Sequence, residues 1–102
     1  MLLRYASAYR HLGYALEQQG DLEEAMENYR QAIKLDPEDA WTFNSLGNLL
    51  QQQGKLEEAI EKYERALEVD PNNTKAQDNL DEAKRMLEQQ GNSTGPTIEL
   101  EI

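Results

Sequence analysis

The stretch LGYALEQQGDLEEAMENYRQAIKLDPED, residues 12–39, decides the fold because the chain repeats it. Thirty-four residues later, residues 46–73 read LGNLLQQQGKLEEAIEKYERALEVDPNN. The matched pairs are Gly13 and Gly47, Gly20 and Gly54, Ala25 and Ala59, Tyr29 and Tyr63, Ala32 and Ala66, and Pro37 and Pro71. A repeat of this length indicates that the chain stacks copies of one small structural unit.

Each unit has the apolar spacing of two amphipathic helices. Tyr5, Tyr9, Leu12 and Leu16 recur at helical intervals and predict the apolar core stripe of a first helix. A second stripe with the same period runs through residues 22–33 and predicts a second helix. Each unit is therefore expected to be a helical hairpin.

Short polar segments separate the predicted helices. Gly20 is expected to form a left-handed turn at the end of the first helix. Asp21 and Glu24 have the spacing of a capping box for the second helix. Asp36 is expected to cap the next helix, with Pro37 in its first turn.

The spaced positions resemble those of the tetratricopeptide repeat (TPR) family, which has a 34-residue period. The matching positions are Tyr9, Leu12, Gly13, Leu16, Ala25, Tyr29, Ala32 and Pro37 in the first unit, and Phe43, Leu46, Gly47, Leu50, Ala59, Tyr63, Ala66 and Pro71 in the second. Tyr9 and Phe43 stand where tryptophan is commonest in the family. The resemblance implies an all-α fold of antiparallel helix-turn-helix repeats, stacked as a short right-handed α-solenoid of five helices.

The resemblance also divides the chain. Repeat one is expected at 6–39 and repeat two at 40–73, followed by a capping helix at 74–90 that completes a domain over 1–90. The remaining residues, 91–102, are expected to be a flexible tail with a strand-like end, because a Gly- and Pro-containing stretch precedes an alternating apolar pattern. Whether this tail is disordered or docks on another chain as an extended peptide stays open.

Composition excludes several classes of protein. The chain has 102 residues and a net charge of −10, which disfavours binding to nucleic acid. No apolar run approaches the length of a membrane-spanning helix, and the first residues do not have the pattern of a signal peptide. We therefore expect a cytoplasmic protein that binds neither nucleic acid nor membranes.

Nothing in the sequence indicates chemistry. The chain has no cysteine, and its one histidine, His11, has no second histidine or cysteine to join it in a metal site. Gly20 and Gly54 have the spacing of turns rather than of a phosphate-binding loop. We expect no catalytic residue, no metal and no cofactor, and hence no enzyme.

The resemblance implies a binding surface instead, because in this family the first helices line a concave groove that holds extended peptides. The groove positions carried over to this sequence are Ser7, Arg10, Tyr14, Gln18, Trp41, Asn44, Asn48, Gln52 and Lys75. Tyr14 and Trp41 are aromatic side chains outside the core stripe, which is typical of binding anchors. For Trp41, packing against the preceding loop stays open as the alternative.

One subgroup of the family grips the acidic tails of heat-shock chaperones with Lys, Asn and Arg side chains. Arg10, Asn48 and Lys75 fit that set, whereas Tyr14 and Asn79 stand where the subgroup has asparagine and arginine. The pattern therefore does not predict that ligand.

Two interpretations of function follow. The first is a protein-interaction module that binds an extended peptide of a partner protein in the groove. The second is a structural or self-associating scaffold without a dedicated ligand, either a consensus-like repeat unit or a fragment of a larger repeat protein. Weak self-association would then run through the N-terminal helix or the C-terminal tail.

Overall fold

The computed structural model describes the backbone of residues 2–99 and the side chains of residues 2–91. Its helices are α1 (Leu2–Gln19), α2 (Leu22–Leu35), α3 (Ala40–Gln52), α4 (Leu56–Val69) and α5 (Thr74–Glu99). Residues 2–99 contain no strand. The predicted all-α architecture of five helices, stacked as a helical repeat solenoid, is confirmed.

The two helices of each repeat pack closely because a glycine on the first makes room for a tyrosine on the second. A Cβ atom added at Gly13 would lie 2.7 Å from Cδ1 of Tyr29, and one at Gly47 would lie 2.6 Å from Cε1 of Tyr63. Both distances are shorter than carbon atoms tolerate. The glycines thus fix the distance between the helices, while the two buried tyrosine rings fill the space.

The turns inside the repeats match the prediction from the sequence. Gly20 and Gly54 have φ angles of +86° and +81°, in the left-handed region where glycine is favoured. Each follows the first helix of its repeat and reverses the chain into the second.

The helix caps differ from the prediction. Asp36 does not cap α3; its side chain accepts from the backbone N–H of Glu38 in the loop. The α3 cap is Asp39, which accepts from the N–H of Thr42 at 3.2 Å, because three further residues after Asp36 complete the turn between the helices. Asp21 does occupy the N-cap position of α2, but its side chain makes no capping hydrogen bond, so the predicted capping box is wrong.

The core lies in the middle of the stack. The largest fully buried side chains are Tyr29, Tyr63, Met26, Leu46, Leu49, Leu50, Leu56 and Thr42. On α5, Ala76, Leu80 and Ala83 close the end of this core and leave the other faces of the helix to solvent. Such a one-sided helix is what a terminal cap of a repeat stack requires.

The predicted core stripe of α1 is largely exposed. Leu12 is 49% exposed, whereas its counterpart Leu46 on α3 is 1% exposed. Tyr9 is 37% exposed and its counterpart Phe43 only 3%. The reason is that α3 packs between two neighbouring helix pairs, while α1 has a neighbour on one side only. Of the predicted stripe, Leu16 alone packs against the buried core.

The last helix continues further than the sequence suggests. The helix end expected at residue 90 and the flexible, strand-like tail expected at 91–102 differ from the structure over 91–99, where the backbone is helical. Gly91, Gly95 and Pro96 are the local signals for the expected stop, and in the structure all three lie within α5. Residues 100–102 lie outside the described residues.

Within the part of the chain that the structure describes, no helix combines the length and apolar content needed to cross a bilayer.

Candidate functional site

The first helices of the repeats and α5 form a concave groove of about 700 Å³. Its lining residues come from α1, α3, α5 and the residue that precedes α5. They are Arg10, His11, Tyr14, Glu17, Trp41, Asn44, Ser45, Asn48, Asn73, Lys75 and Asn79. The lining is polar and rich in asparagine, with two aromatic side chains.

Trp41 is the central aromatic side chain of this groove. Its ring centre lies 5.9 Å from that of Tyr14 in a tilted arrangement and 6.0 Å from that of Tyr29 edge to face. These aromatic contacts stabilise the indole against the first repeat. Trp41 nevertheless remains 43% exposed, so part of the indole surface faces solvent in the groove.

Arg10 completes the setting of Trp41. Its guanidinium carbon lies 5.6 Å from the centre of the indole ring, within the range of a cation–π interaction. The same guanidinium binds Asp39 at 3.3 Å, and Asp39 also accepts from the hydroxyl of Thr42 at 2.6 Å. The cap of α3 therefore holds Arg10, which in turn covers one side of Trp41.

Two asparagines of α3 are fixed in orientation by hydrogen bonds. The side-chain oxygen of Asn44 accepts from Asn79 at 3.0 Å, and that of Asn48 lies 3.0 Å from the hydroxyl of Tyr63. One pole of each amide is thus occupied by the protein. The other pole of Asn48 can serve a ligand, because a side-chain amide both donates and accepts hydrogen bonds, whereas Asn44 is buried.

Beneath the groove, the two core tyrosines repeat one hydrogen bond. Tyr29 donates to Glu17 at 2.7 Å, and the Tyr63 hydroxyl donates to Gln51, the residue one repeat later, at 2.6 Å, with its single proton shared with the side-chain oxygen of Asn48. Burial raises the pKa of both tyrosines above the ordinary value, and the adjacent carboxylate of Glu17 raises that of Tyr29 further. Both hydroxyls therefore remain protonated donors that tie the second helix of each repeat to the first.

The groove carries less negative charge than the rest of the chain. Its charged lining residues are Arg10, Lys75 and Glu17, in a chain whose net charge is −10. Arg10 is paired with Asp39, whereas Lys75 makes no ion pair with any residue among 2–91. Lys75 is therefore the groove cation with a free charge for a ligand.

Six of the nine residues predicted from the sequence line this groove: Arg10, Tyr14, Trp41, Asn44, Asn48 and Lys75. Five of these six side chains are exposed or partly exposed, whereas Asn44 is buried because Asn79 covers it. Ser7, Gln18 and Gln52 do not line the groove. Gln18 and Gln52 lie at the last turns of α1 and α3, beyond the concave part.

The groove set predicted from the sequence lacks five lining residues: His11, Glu17, Ser45, Asn73 and Asn79. Three of them were within reach of the helical period, because His11, Ser45 and Asn79 each follow a predicted groove residue by four positions. Asn73 is the capping residue of α5, where it accepts from the N–H of Ala76 at 3.0 Å. Its place in the groove depends on the packing of α5 beside α3.

The groove does not have the donor set of a metal centre. Among the described residues, no group of three or more histidine, cysteine, aspartate or glutamate side chains could hold a metal ion. The lining side chains are suited to hydrogen bonding and to aromatic contact.

Comparisons with known proteins agree with this architecture. A family model described as TPR repeat matches residues 13–54, and one described as Tetratricopeptide repeat matches residues 40–73. Together the two matches cover more than half of the chain. No curated protein matches the sequence.

Solved structures have the same fold. The Arabidopsis OM64 TPR domain superposes with a TM-score of 0.83 at 19% identity, covering 87% of this chain and 74% of that one. The MamA protein superposes with a TM-score of 0.76 at 28% identity, covering 78% of this chain and 44% of that one. This chain therefore spans less than half of the MamA chain.

Proposed function

Because the chain belongs to the tetratricopeptide repeat family, whose repeats generally mediate protein–protein interaction, we propose that its concave groove binds an extended peptide of a partner protein. Repeats of this family are typically a non-enzymatic scaffold, and the proposed role is binding without catalysis.

The observation that carries this proposal is the exposed indole of Trp41. Large aromatic side chains held rigid by their neighbours make effective contact surfaces, because little conformational entropy is lost when a ligand covers them. Trp41 is held by Tyr14, Tyr29 and Arg10, yet 43% of it remains accessible. An apolar side chain of the peptide would stack on this surface beside Tyr14.

The asparagines supply the polar part of the contact. An extended peptide presents N–H and C=O groups along its length, and these need partners when water is removed from them. Asn44 and Asn48 lie one helical turn apart on α3 and are already oriented by Asn79 and Tyr63. Asn48 and Asn79, which covers the buried Asn44, are the accessible amides of this set and would hold the peptide backbone independently of its sequence, so that selectivity would come from the Trp41 contact.

Trp41 also provides the assay, because it is the only tryptophan of the chain. Peptides selected from a random library against the purified protein should shift its fluorescence emission and protect it from a soluble quencher. Both effects follow from covering an exposed indole with the ligand.

The mutational test compares Trp41→Ala with Glu27→Ala, a change at an exposed residue of α2 outside the groove. Calorimetric titration should show at least about tenfold weaker peptide binding by the Trp41 variant, equivalent to about 1.4 kcal/mol. The Glu27 variant should bind like the unaltered protein. Selected peptides that bind both variants equally well would contradict a site centred on Trp41.

A further inference from the structure

The exposed side of α1 carries a continuous apolar stripe that the groove does not use. It consists of Leu2, Tyr5, Tyr9 and Leu12, all of which are exposed. Ala8 and Ala15, also exposed, lie along one border of this α1 stripe. Because the stripe points away from the side of α1 that carries Arg10 and Tyr14, a partner could cover it while the groove stays accessible.

The second repeat shows how such a stripe behaves when it has a neighbour. Leu46, the counterpart of Leu12, belongs to the same buried cluster as Met26 and Tyr29 of the preceding helix. Phe43, the counterpart of Tyr9, is buried with Ala66 and Ala76. The same residue pattern is therefore competent to form a packed helix interface.

The size of the α1 stripe is close to that of a weak dimer contact. Its members expose on the order of 500 Å², at the upper end of the apolar patches found on monomers. A stable interface buries about 800 Å² on each partner, so the stripe with its borders supplies most of one such surface. An interface of this size gives a reversible dimer rather than a permanent one.

The spacing of the stripe matches a copy of itself. Leu2, Tyr5, Tyr9 and Leu12 follow the alternating three- and four-residue steps of a coiled-coil seam. In an antiparallel pair of α1 helices, a two-fold axis level with Ser7 sets Leu2 against Leu12 of the second copy and Tyr5 against Tyr9 of the second copy. Every member of the stripe then has an apolar partner in a closed, isologous contact.

Charge also favours this face over the others. The stripe contains no carboxylate, and α1 carries only Glu17 as an acidic residue. The helices α2 and α4 together carry most of the glutamates of the chain, in keeping with the net charge of −10. Two copies therefore meet the least electrostatic repulsion when they approach through α1.

We propose that the α1 stripe is a self-association surface, on which two copies of this chain pack their α1 helices antiparallel about a two-fold axis. The dimer leaves both grooves facing solvent and makes the protein bivalent for its peptide. Its existence does not depend on peptide binding, so the two proposals fail separately.

Sedimentation equilibrium over a concentration series up to about 1 mM tests the proposal directly. The unaltered chain should dimerise reversibly, and Leu12→Glu should weaken dimerisation at least tenfold, because each dimer would bury two uncompensated charges. Tyr14→Glu, an equally exposed position on the groove side of the same helix, should not. A monomer throughout the series would overturn the proposal, as would loss of the dimer in the Tyr14 variant alone.

Salt separates this apolar contact from a charge-driven one. Screening reduces the repulsion between two chains of charge −10, so the dimer should become tighter as sodium chloride is raised. A dimer that dissociates in salt would contradict an apolar contact through α1.

A crosslinking variant tests the geometry without a disruptive charge. The chain has no cysteine, so Ala8→Cys introduces a single thiol on the border of the stripe, near the proposed axis. A short bifunctional thiol reagent should join two such chains efficiently, and Glu27→Cys on α2 should give little product under the same conditions. Equal yields from both variants would overturn the antiparallel arrangement.

Discussion

Helices α1 and α3 are the first helices of two successive repeats, but their apolar stripes differ in burial. Both carry an apolar stripe, a glycine against a tyrosine ring, and groove side chains on the opposite side. On α3 the stripe is buried between two helix pairs, whereas on α1 it faces solvent. At matching apolar positions of a stacked repeat, burial therefore depends on how many neighbours the helix has.

The comparison also separates stability from binding. The exposure of the apolar stripe changes with the position of the helix in the stack. The groove side is accessible on both helices, where it carries Tyr14 on α1 and Asn48 on α3. Changes on the stripe should thus affect folding according to the repeat, and changes in the groove should affect folding little.

The two helices differ most in burial at Leu12 and Leu46, and a substitution in the buried one should destabilise the protein most. Leu46→Ala should lower the free energy of unfolding by about 2–5 kcal/mol, because it leaves a cavity in the core. Leu12→Ala, one repeat earlier, should cost less than about 1 kcal/mol, since half of that side chain is already in water. Urea denaturation of the two variants below the concentration at which chains associate measures both values, and equal losses would show that α1 is as packed as α3.

The next largest effect concerns the close approach of the helices. Gly47→Ala should destabilise the protein by about 1–3 kcal/mol, because the new methyl group collides with the ring of Tyr63. Gly13→Ala meets Tyr29 at nearly the same distance, but α1 can move outward, so its cost should be smaller. Thermal unfolding of the pair ranks them, and a larger loss in the Gly13 variant would contradict the freedom assigned to α1.

Alkaline pH should destabilise the folded protein through its two buried tyrosines, one in each repeat. Their pKa values are raised in the folded state, so the folded protein binds more protons than the unfolded chain above about pH 10. This contribution to stability is complete below that pH and is lost as the pH rises, by up to about 1.4 kcal/mol per pH unit for each tyrosine. Denaturation between pH 9 and 12, roughly the range over which tyrosine titrates, should show this decline.

The control for the alkaline decline is Tyr63→Phe, which should reduce the slope by half and leave the contribution of Tyr29. A variant that keeps the full slope would mean that Tyr63 is not one of the groups responsible.

In the groove, a substitution should affect stability less than the loss of a core side chain. Trp41→Ala should lower the free energy of unfolding by about 1–2 kcal/mol, because the lost aromatic contacts add to the burial of a side chain that is 43% exposed. Circular dichroism during urea unfolding measures this change. A loss comparable to that of Leu46→Ala would identify Trp41 as a core residue.

The fold could be predicted from the sequence because the same pattern of glycine and apolar residues occurs twice, 34 residues apart. Gly20 and Gly54 mark the turns, and Gly13 and Gly47 mark the close approach of the helices. The turn glycines meet a local requirement for a left-handed backbone, which can be recognised without knowledge of the rest of the structure. Gly13 and Gly47 meet a requirement of helix packing, and their recurrence 34 residues apart is what marks them in the sequence.

The burial of the α1 stripe could not be predicted in the same way. The spacing of Tyr9 and Leu12 is identical to that of Phe43 and Leu46, so periodicity alone assigns both pairs to the core. Their different exposure arises from tertiary neighbours. The cap of α3 is similar, because Asp36 and Asp39 are both good capping residues, and only the path of the loop selects Asp39.

The groove residues could be predicted from the sequence only in part. Residues at matching positions of the first helices, such as Trp41 and Lys75, follow from the repeat once the concave side is known. The burial of Asn44 beneath Asn79 depends on how closely α5 packs beside α3, which no local pattern encodes.

Nuclear magnetic resonance of the labelled protein, titrated with a library-selected peptide, tests whether the peptide binds in the concave groove. The side-chain N–H signals of Trp41, Asn48 and Asn79 should shift on titration, while the methyl signals of Leu2 and Leu12 on the α1 stripe should not. Shifts confined to the α1 stripe, with the Trp41 and asparagine signals unchanged, would contradict the account.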